Sequence, residues 1–306
     1  MISAYRIVQL VGTGGMGWVY QAEHVIDGHV VALKVLREDQ LSQDRAIDRM
    51  MREAAILASV VHPGIPRFYE CGVMPDRRPW IAMELVEGSS LGDAITRGPV
   101  RALDILDVIA SVADVLATAH AHGVTHRDIK PDNIFLTPDD VFPVRLIDWG
   151  IAHHLAGARY TNMNEAIGTP TYMAPEQARG GPTDGHCDVY GLGVVAYHAL
   201  SGRPPFLGAT SVEILVQHLN KPLPALGPRC DAPRDVVELV EKMLIKNFEH
   251  RPSALEVRAA ATAIRDELGR PVYDYYSVEA IPVPIVGEKT PKTRQFRAPR
   301  WDDDDS

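Results

Sequence analysis

The segment His126-Arg127-Asp128-Ile129-Lys130-Pro131-Asp132-Asn133 sets a carboxylate, an ammonium and an amide close together, and Asp148-Trp149-Gly150 adds a second carboxylate fifteen residues after Asn133. An ionised Asp128 can accept the proton of an attacking hydroxyl and, more importantly, orient that hydroxyl for in-line displacement. Lys130 can neutralise charge on a phosphoryl group in transfer. Asn133 and Asp148 offer hard oxygen donors suited to Mg²⁺, which bridges phosphate oxygens and spreads developing charge. Isolated Asp and Asn residues in loops mostly form turns. An intact His-Arg-Asp-x-Lys-x-x-Asn run outweighs that reading.

Upstream lie Gly12-Thr13-Gly14-Gly15-Met16-Gly17 and Val31-Ala32-Leu33-Lys34. A G-x-G-x-x-G pattern alone fits a glycine-rich hairpin or a dinucleotide-binding turn. The dinucleotide turn opens a helix, whereas Trp18-Val19-Tyr20 continues as β-structure. The glycines therefore suit a hairpin whose backbone lies close over phosphates without Cβ clashes. Lys34 would bring its ammonium to the same phosphates and needs a carboxylate to fix it. Glu53, on the inward face of the next helix, is the expected partner.

Positioning these groups requires particular elements. Tyr5 to Val11, Gly17 to His24 and His29 to Leu36 read as three strands, the last two joined by an Asp27-Gly28 hairpin signal. Met50, Ala54, Leu57 and Val61 recur at helical spacing, predicting a helix over Gln43 to Val60, closed by Pro63, Gly64 and Pro66. Phe68 to Val73 and Trp80 to Val86 follow as strands. From Val86 onward the pattern turns helical. One long helix carries Ile105, Val108, Val112, Val115 and Ala119 and delivers the chain to His126. Val189 to Leu200 is apolar on every face, as for a buried helix. Further helices fit Thr210 to Leu219, Pro233 to Ile245 and Ser253 to Leu268, with Ser253 as N-cap of the last. After Gly269 no periodic face remains, and 269–306 reads as a tail with a basic run ahead of four acidic residues.

Composition narrows the function classes. With 46% hydrophobic and 23% charged residues, the 306-residue chain has a globular profile. A net charge of −9 argues against general binding of nucleic acid or anionic membranes. Cys71, Cys187 and Cys230 are scattered and odd in number, so structural zinc and a disulfide framework are not expected, and a reducing, cytoplasmic setting fits. The longest apolar run, near Gly191 to Leu200, is too short and broken to span a bilayer.

Together these motifs resemble the eukaryotic-type protein kinases, and the bacterial Ser/Thr kinases in particular, over roughly Tyr5 to Ile264. The resemblance extends through Gly168-Thr169-Pro170-Thr171-Tyr172-Met173-Ala174-Pro175-Glu176, Asp188-Val189-Tyr190-Gly191-Leu192-Gly193 and His250-Arg251-Pro252. It implies an α+β, two-lobed fold within 5–268. The small antiparallel lobe with one helix would cover about 5–86, and the larger helical lobe about 87–268. It implies ATP as phosphoryl donor, Mg²⁺ (or Mn²⁺) as cofactor, and protein Ser/Thr hydroxyls as acceptors. Val11, Gly12, Gly14, Gly15, Gly17, Val19, Ala32 and Lys34 would line the nucleotide site, with Phe135 below the adenine. Met83 would be the gatekeeper and Glu84 to Val86 the hinge, with Ser90 as a ribose contact. Glu176 would pair with Arg251, and Asp188 would hold the backbone of the catalytic loop.

Within the same resemblance, Lys130 and Thr169 favour Ser/Thr over Tyr acceptors, since both would reach Asp128. Arg127, ahead of Asp128, marks kinases whose activation segment is ordered by phosphate, an Arg–phosphate pair being charge-assisted. Thr161 is the expected phosphate carrier, through autophosphorylation in a transient homodimer. The usual Phe after the metal-binding Asp is Trp149, whose indole N–H needs a partner. An ATP-binding pseudokinase scaffold is disfavoured because Lys34, Glu53, Asp128, Asn133 and Asp148 are all present. A small-molecule phosphotransferase is disfavoured by the Gly168 to Glu176 segment, which resembles a platform for protein substrates.

Overall fold

The computed structural model describes residues 2–14, 17–36, 51, 54–137, 142–149, 170–181 and 183–268. All of them lie in the first of two units of the chain, Met1–Val272. The predicted tail falls outside the described residues.

The N-terminal part is a five-stranded antiparallel sheet in the order β1-β2-β3-β5-β4. Its strands are β1 (Tyr5–Gly14), β2 (Gly17–His24), β3 (Val30–Leu36), β4 (Phe68–Val73) and β5 (Pro79–Glu84). The period of two along a strand sorts β3 into two faces. Val31, Leu33 and Val35 pack with Ile2, Tyr5, Ala22, Trp80 and Ala82 into an apolar cluster. Ala32 and Lys34 therefore face the other way. Val19 pairs with Lys34 across β2–β3, Ala32 with Met83 across β3–β5, and Gly12 with Val19 across β1–β2. Val19, Ala32, Lys34 and Met83 thus share the face opposite that cluster. Gly17 closes the β1–β2 turn, where a Cβ would lie 2.2 Å from the Val35 carbonyl oxygen; a side chain there would force β2 and β3 apart.

Residues 54–59 are helical, and Ala54 and Leu57 are buried on its inner face. The predicted helix is seen over that part and at residue 51; Gln43 to Met50, Arg52 and Glu53 lie outside the described residues. β5 ends at Glu84, so Leu85 and Val86 are connector rather than strand. The Glu84 N–H donates to the Arg67 carbonyl (2.8 Å) and the Glu84 carboxylate accepts from the Arg67 N–H (3.0 Å), tying the end of β5 to the start of β4.

The C-terminal part is mainly helical. The 20-residue helix Ala102–Ala121 buries apolar residues on several faces, and Ala254–Glu267 packs along it. His186–Ser201 is buried nearly all round, as its unbroken apolar sequence requires. Gly191 lets that helix approach the loop before Asn133: a Cβ there would sit 3.0 Å from Ile129 Cβ. Ser253 caps Ala254–Glu267 in a reciprocal capping box with Glu256. A small three-stranded sheet, β6 (Ser89–Ser90), β7 (Ile134–Leu136) and β8 (Val144–Leu146), carries the turn residues of the site. Among the described residues, no helix is long and apolar enough to cross a membrane.

Candidate functional site

Asp128, Lys130 and Asn133 converge at the start of β7. Lys130 Nζ donates to Asp128 Oδ2 at 2.7 Å. Asn133 Nδ2 donates to the Asp128 carbonyl (2.7 Å) and to its Oδ2 (3.2 Å). Both of those partners only accept, so the Asn133 amide nitrogen must face them. Its carbonyl oxygen is turned away from both of them. Antiparallel pairing of β7 with β8 then returns the chain to the same place. The Ile147 N–H donates to the Asn133 carbonyl (2.9 Å), setting Asp148 beside Asn133.

Asp148 meets the N-terminal sheet directly. Lys34 Nζ lies 2.7 Å from Asp148 Oδ1 in a partly buried ion pair. The Lys34 charge holds the Asp148 carboxyl below its usual value, against the opposing effect of burial. Asp148 is therefore an anion near neutral pH. The expected Glu53 partner of Lys34 lies outside the described residues. So do Gly15, Gly150, Thr161 and Thr169.

Two non-glycine residues of the site adopt left-handed backbone, Arg127 at φ 68° and Asp148 at φ 61°. Such conformations persist only where neighbours enforce them. For Arg127 the enforcing group is Asp188, almost fully buried in the first turn of the His186–Ser201 helix. Asp188 Oδ2 accepts from the His126 N–H (2.8 Å) and Oδ1 from the Arg127 N–H (2.6 Å). His120 Nε2 donates to Oδ2 as well, at 2.8 Å. Burial alone would raise the Asp188 pKa. The His120 hydrogen bond and its neighbours overcome this and hold it below the ordinary aspartate value. From the far side, Gln177 Nε2 donates to the Arg127 carbonyl (2.9 Å). Sequence reasoning anticipated Asp188 but missed His120 and Gln177. His120 stands in the last turn of the helix leading into the loop, which is the one cue that could have suggested it.

His126 is fully buried. Its Nε2 donates to the Ile147 carbonyl (2.9 Å) and its Nδ1 accepts the Asp128 N–H (3.3 Å), a pattern only the neutral ring satisfies. Burial correspondingly pushes its pKa down. Trp149 packs on that ring with centroids 4.8 Å apart, and its indole N–H donates to the Leu146 carbonyl at 2.8 Å. The larger aromatic is thus accommodated with its polar atom satisfied.

Arg251 grips Glu176 through two nitrogens, at 2.6 and 3.1 Å, with both groups buried. Ser90 is the N-cap of Leu91–Thr96, its hydroxyl engaged with Asp93 in a capping box. Ala32 is buried, Met83, Glu84, Val86 and Phe135 are half-buried, and Val11 is 47% exposed near the glycine turn. Phe135 pairs with Ser90 in the small sheet, two residues beyond Asn133.

Comparison with known proteins agrees with this arrangement. The family model described as protein kinase domain matches residues 5–261. The Ser/Thr-protein kinase PknA of Mycobacterium tuberculosis is 39% identical over 248 residues, covering 79% of this chain and 57% of its own length. PrkC of Bacillus subtilis, also a Ser/Thr-protein kinase, is 36% identical over 254 residues, covering 82% of this chain and 39% of its own. The crystal structure of a point mutant of the Mycobacterium tuberculosis PknI kinase domain superimposes with TM-score 0.68 at 26% identity, covering 88% of this chain and 97% of that one. The chain thus spans about half or less of the length of the two curated relatives. Sheet, helical part, catalytic-loop frame and similarity coincide, and the chain belongs to the protein kinase domain family, among its bacterial Ser/Thr members, with the two-lobed kinase fold.

Proposed function

We propose that this chain transfers the γ-phosphoryl group of ATP to Ser and Thr hydroxyls of proteins. The observation that carries the reading is the convergence of Asp128, Lys130 and Asn133 beside the Lys34–Asp148 pair. Asp128 accepts and orients the acceptor hydroxyl, and Lys130, already 2.7 Å from it, balances charge on the group in flight. Lys34 serves the nucleotide phosphates from the sheet face it shares with Val19, Ala32 and Met83. The glycine turn of Gly12, Gly14, Gly15 and Gly17 covers them. Glu53 would fix Lys34 in the productive arrangement, as the family resemblance implies. Val11, Val19, Ala32, Met83 and Phe135 enclose the adenine, and the backbone of Glu84 to Val86 meets its edge.

The donor set fits a hard divalent cation. The Asn133 amide oxygen and the ionised Asp148 carboxylate would hold Mg²⁺ or Mn²⁺, which neutralises phosphate charge when bound. The acceptors are proteins, not nucleic acids, and a transient pair of copies would phosphorylate Thr161, whose phosphate Arg127 receives. Thr169 would reach Asp128 beside the acceptor, as the family resemblance implies. The domain spans 5–268, and the chain acts in the cytoplasm.

The test is labelled γ-phosphoryl transfer to a generic basic protein. Wild type with Mg-ATP should label the acceptor, and Asp128→Asn should fall by at least about 10³-fold with its melting temperature retained, the loss expected when base and orienting group go together. An Asp128→Asn variant as active as wild type overturns the reading.

A further inference from the structure

We propose that the β2–β3 hairpin carries a second cation site, built from His24, Asp27 and His29, for a borderline transition metal of the Zn²⁺ class. His24 and His29 face each other across the last rung of the hairpin, where the His24 N–H donates to the His29 carbonyl at 3.0 Å. Asp27 sits in the turn between them. Its Oδ1 lies 2.8 Å from His24 Nδ1 and 2.6 Å from His29 Nδ1. The ligating atoms of all three side chains lie within 4.8 Å of one another.

The chemistry of this cluster selects the ion. Two imidazoles and one carboxylate suit Zn²⁺, Ni²⁺ or Cu²⁺, whereas Mg²⁺ and Ca²⁺ prefer all-oxygen shells. A carboxylate oxygen only accepts, so both rings direct Nδ1–H at Asp27. A cation takes the place of those protons at the same point: each neutral ring binds through a bare Nδ1 and carries its single proton on Nε2, the tautomer opposite to the one that donates to Asp27. Ligand atoms around tetrahedral Zn²⁺ stand about 3.3 Å apart for bonds of about 2.0 Å, so the two Asp27 contacts must open by about 0.5–0.7 Å. His29 Nε2 is buried with no hydrogen-bond partner among the described residues, so that ring's polar engagement is through Nδ1 alone. The rings are also pre-placed by packing: Tyr5 lies against both, at 5.3 and 6.4 Å, and Tyr69 against His29 at 5.1 Å. The Asp27-Gly28 turn, with Gly28 at φ 72°, holds Asp27 between them.

This site is separate from the phosphoryl-transfer centre. β2 runs eight residues from Gly17 to His24, so the hairpin end lies about 23 Å along the strand from the glycine turn at ~3.3 Å per residue. A cation here would staple β2 to β3 and, through Tyr5 and Tyr69, steady β1 and β4. It would take no part in the chemistry.

The experiment titrates Zn²⁺ into the full chain held in excess Mg²⁺, by calorimetry, with histidine side-chain NMR in parallel. Wild type should bind one more equivalent of Zn²⁺ than the His24→Gln/His29→Gln double variant, and the Nδ1 resonances of these two residues should shift. Asp27→Asn, which keeps both imidazoles, should bind roughly tenfold or more weakly. Phosphoryl transfer in Mg²⁺ alone should be unchanged in all variants. Equal stoichiometry in wild type and double variant, or loss of Zn²⁺ to excess Mg²⁺, overturns the proposal. Should the double variant misfold, Asp27→Asn and the wild-type NMR shifts decide: unshifted His24 and His29 resonances refute it.

Discussion

Replacing Asp188 by Asn tests the frame of the catalytic loop, because the side chain keeps its shape and loses only charge and one acceptor. Three N–H donors converge on two oxygens, with the Cys187 thiol a weaker fourth on Oδ1: the His126 N–H and His120 Nε2 on Oδ2, and the Arg127 N–H on Oδ1. An amide cannot satisfy all three. With its oxygen at the Oδ2 position, its NH₂ group faces the Arg127 N–H; turned over, it faces the His126 N–H and His120. At least one buried N–H loses its acceptor, which costs about 1–3 kcal/mol, and the surviving bonds lose their charge assistance, about 1 kcal/mol more. A total near 3 kcal/mol corresponds to a melting temperature lower by roughly 6–12 °C for a domain of this size. Thermal unfolding by circular dichroism reads it. The pH dependence follows from the lowered Asp188 pKa. A carboxylate held below its unfolded value stabilises fully above that value and loses its contribution as pH falls through the folded one. The difference between wild type and Asp188→Asn should therefore be constant near neutrality and narrow only below the ordinary value of 3.8. An Asn variant melting within about 2 °C of wild type, or a gap that closes between neutrality and the ordinary aspartate value, refutes the reasoning.

Two further outcomes follow from buried polar groups. His218 accepts from the Tyr190 hydroxyl (2.9 Å) and donates to the Thr171 carbonyl (3.0 Å), and burial pushes its pKa down to about 4. The unfolded ring takes its proton near 6.5 while the folded one does not until about 4, so stability drains as pH falls across that window, by up to ~3 kcal/mol. Urea unfolding at both ends of the window should show His218→Gln losing less stability on acidification than wild type; equal losses refute the assignment. For the buried Glu176–Arg251 pair, Glu176→Ala should cost ~3–5 kcal/mol by stranding the guanidinium. In a double-mutant cycle, Glu176→Ala/Arg251→Met should be clearly less destabilised than the sum of the single changes, and strict additivity would refute a direct coupling.

Much of the fold was legible because its signals are local. The alternation in Val31 to Leu36 sorts Lys34 from the core face, and the all-apolar run at Val189 to Leu200 can only be an interior helix. Ser253 with Glu256 announces a helix start within four residues of chain. Boundaries were less so: Pro79 begins β5 and Val86 lies beyond it, because pairing with β4 ends at Met83 and with β3 at Glu84. The site was legible where its groups sit in one short run, as Asp128, Lys130 and Asn133 do. It was not legible where partners are distant. His120 and Gln177 reach the loop from 68 residues before Asp188 and 50 after Arg127, and neither type nor spacing announces the contact. The direct Lys34–Asp148 pair spans 114 residues and depends on how the sheet meets β8. Ser90 shows the opposite limit. Its type suits both a ribose contact and an N-cap, and the helix beginning at Leu91 makes use of the second.

The two left-handed residues divide the site into parts of unequal independence. Arg127 is held by Asp188, His120 and Gln177, all from the helical part, so Asp128 next to it keeps its place whatever the sheet does. Asp148 has a different support. Its side chain is bound by Lys34 of β3, and its chain neighbours are fixed by the Ile147 N–H on the Asn133 carbonyl and by Trp149 on His126. A left-handed non-glycine residue costs of order 1–3 kcal/mol, and a partly exposed ion pair such as Lys34–Asp148 offsets only part of it. Separating the sheet from the helical part removes the Lys34 contribution and leaves the backbone cost in place. Asp128 is therefore set by the helical part, while the conformation of Asp148 depends on contact between sheet and helices. Trp149, anchored by ring packing on His126 and by its bond to Leu146, tethers the chain next to Asp148 without drawing on that contact.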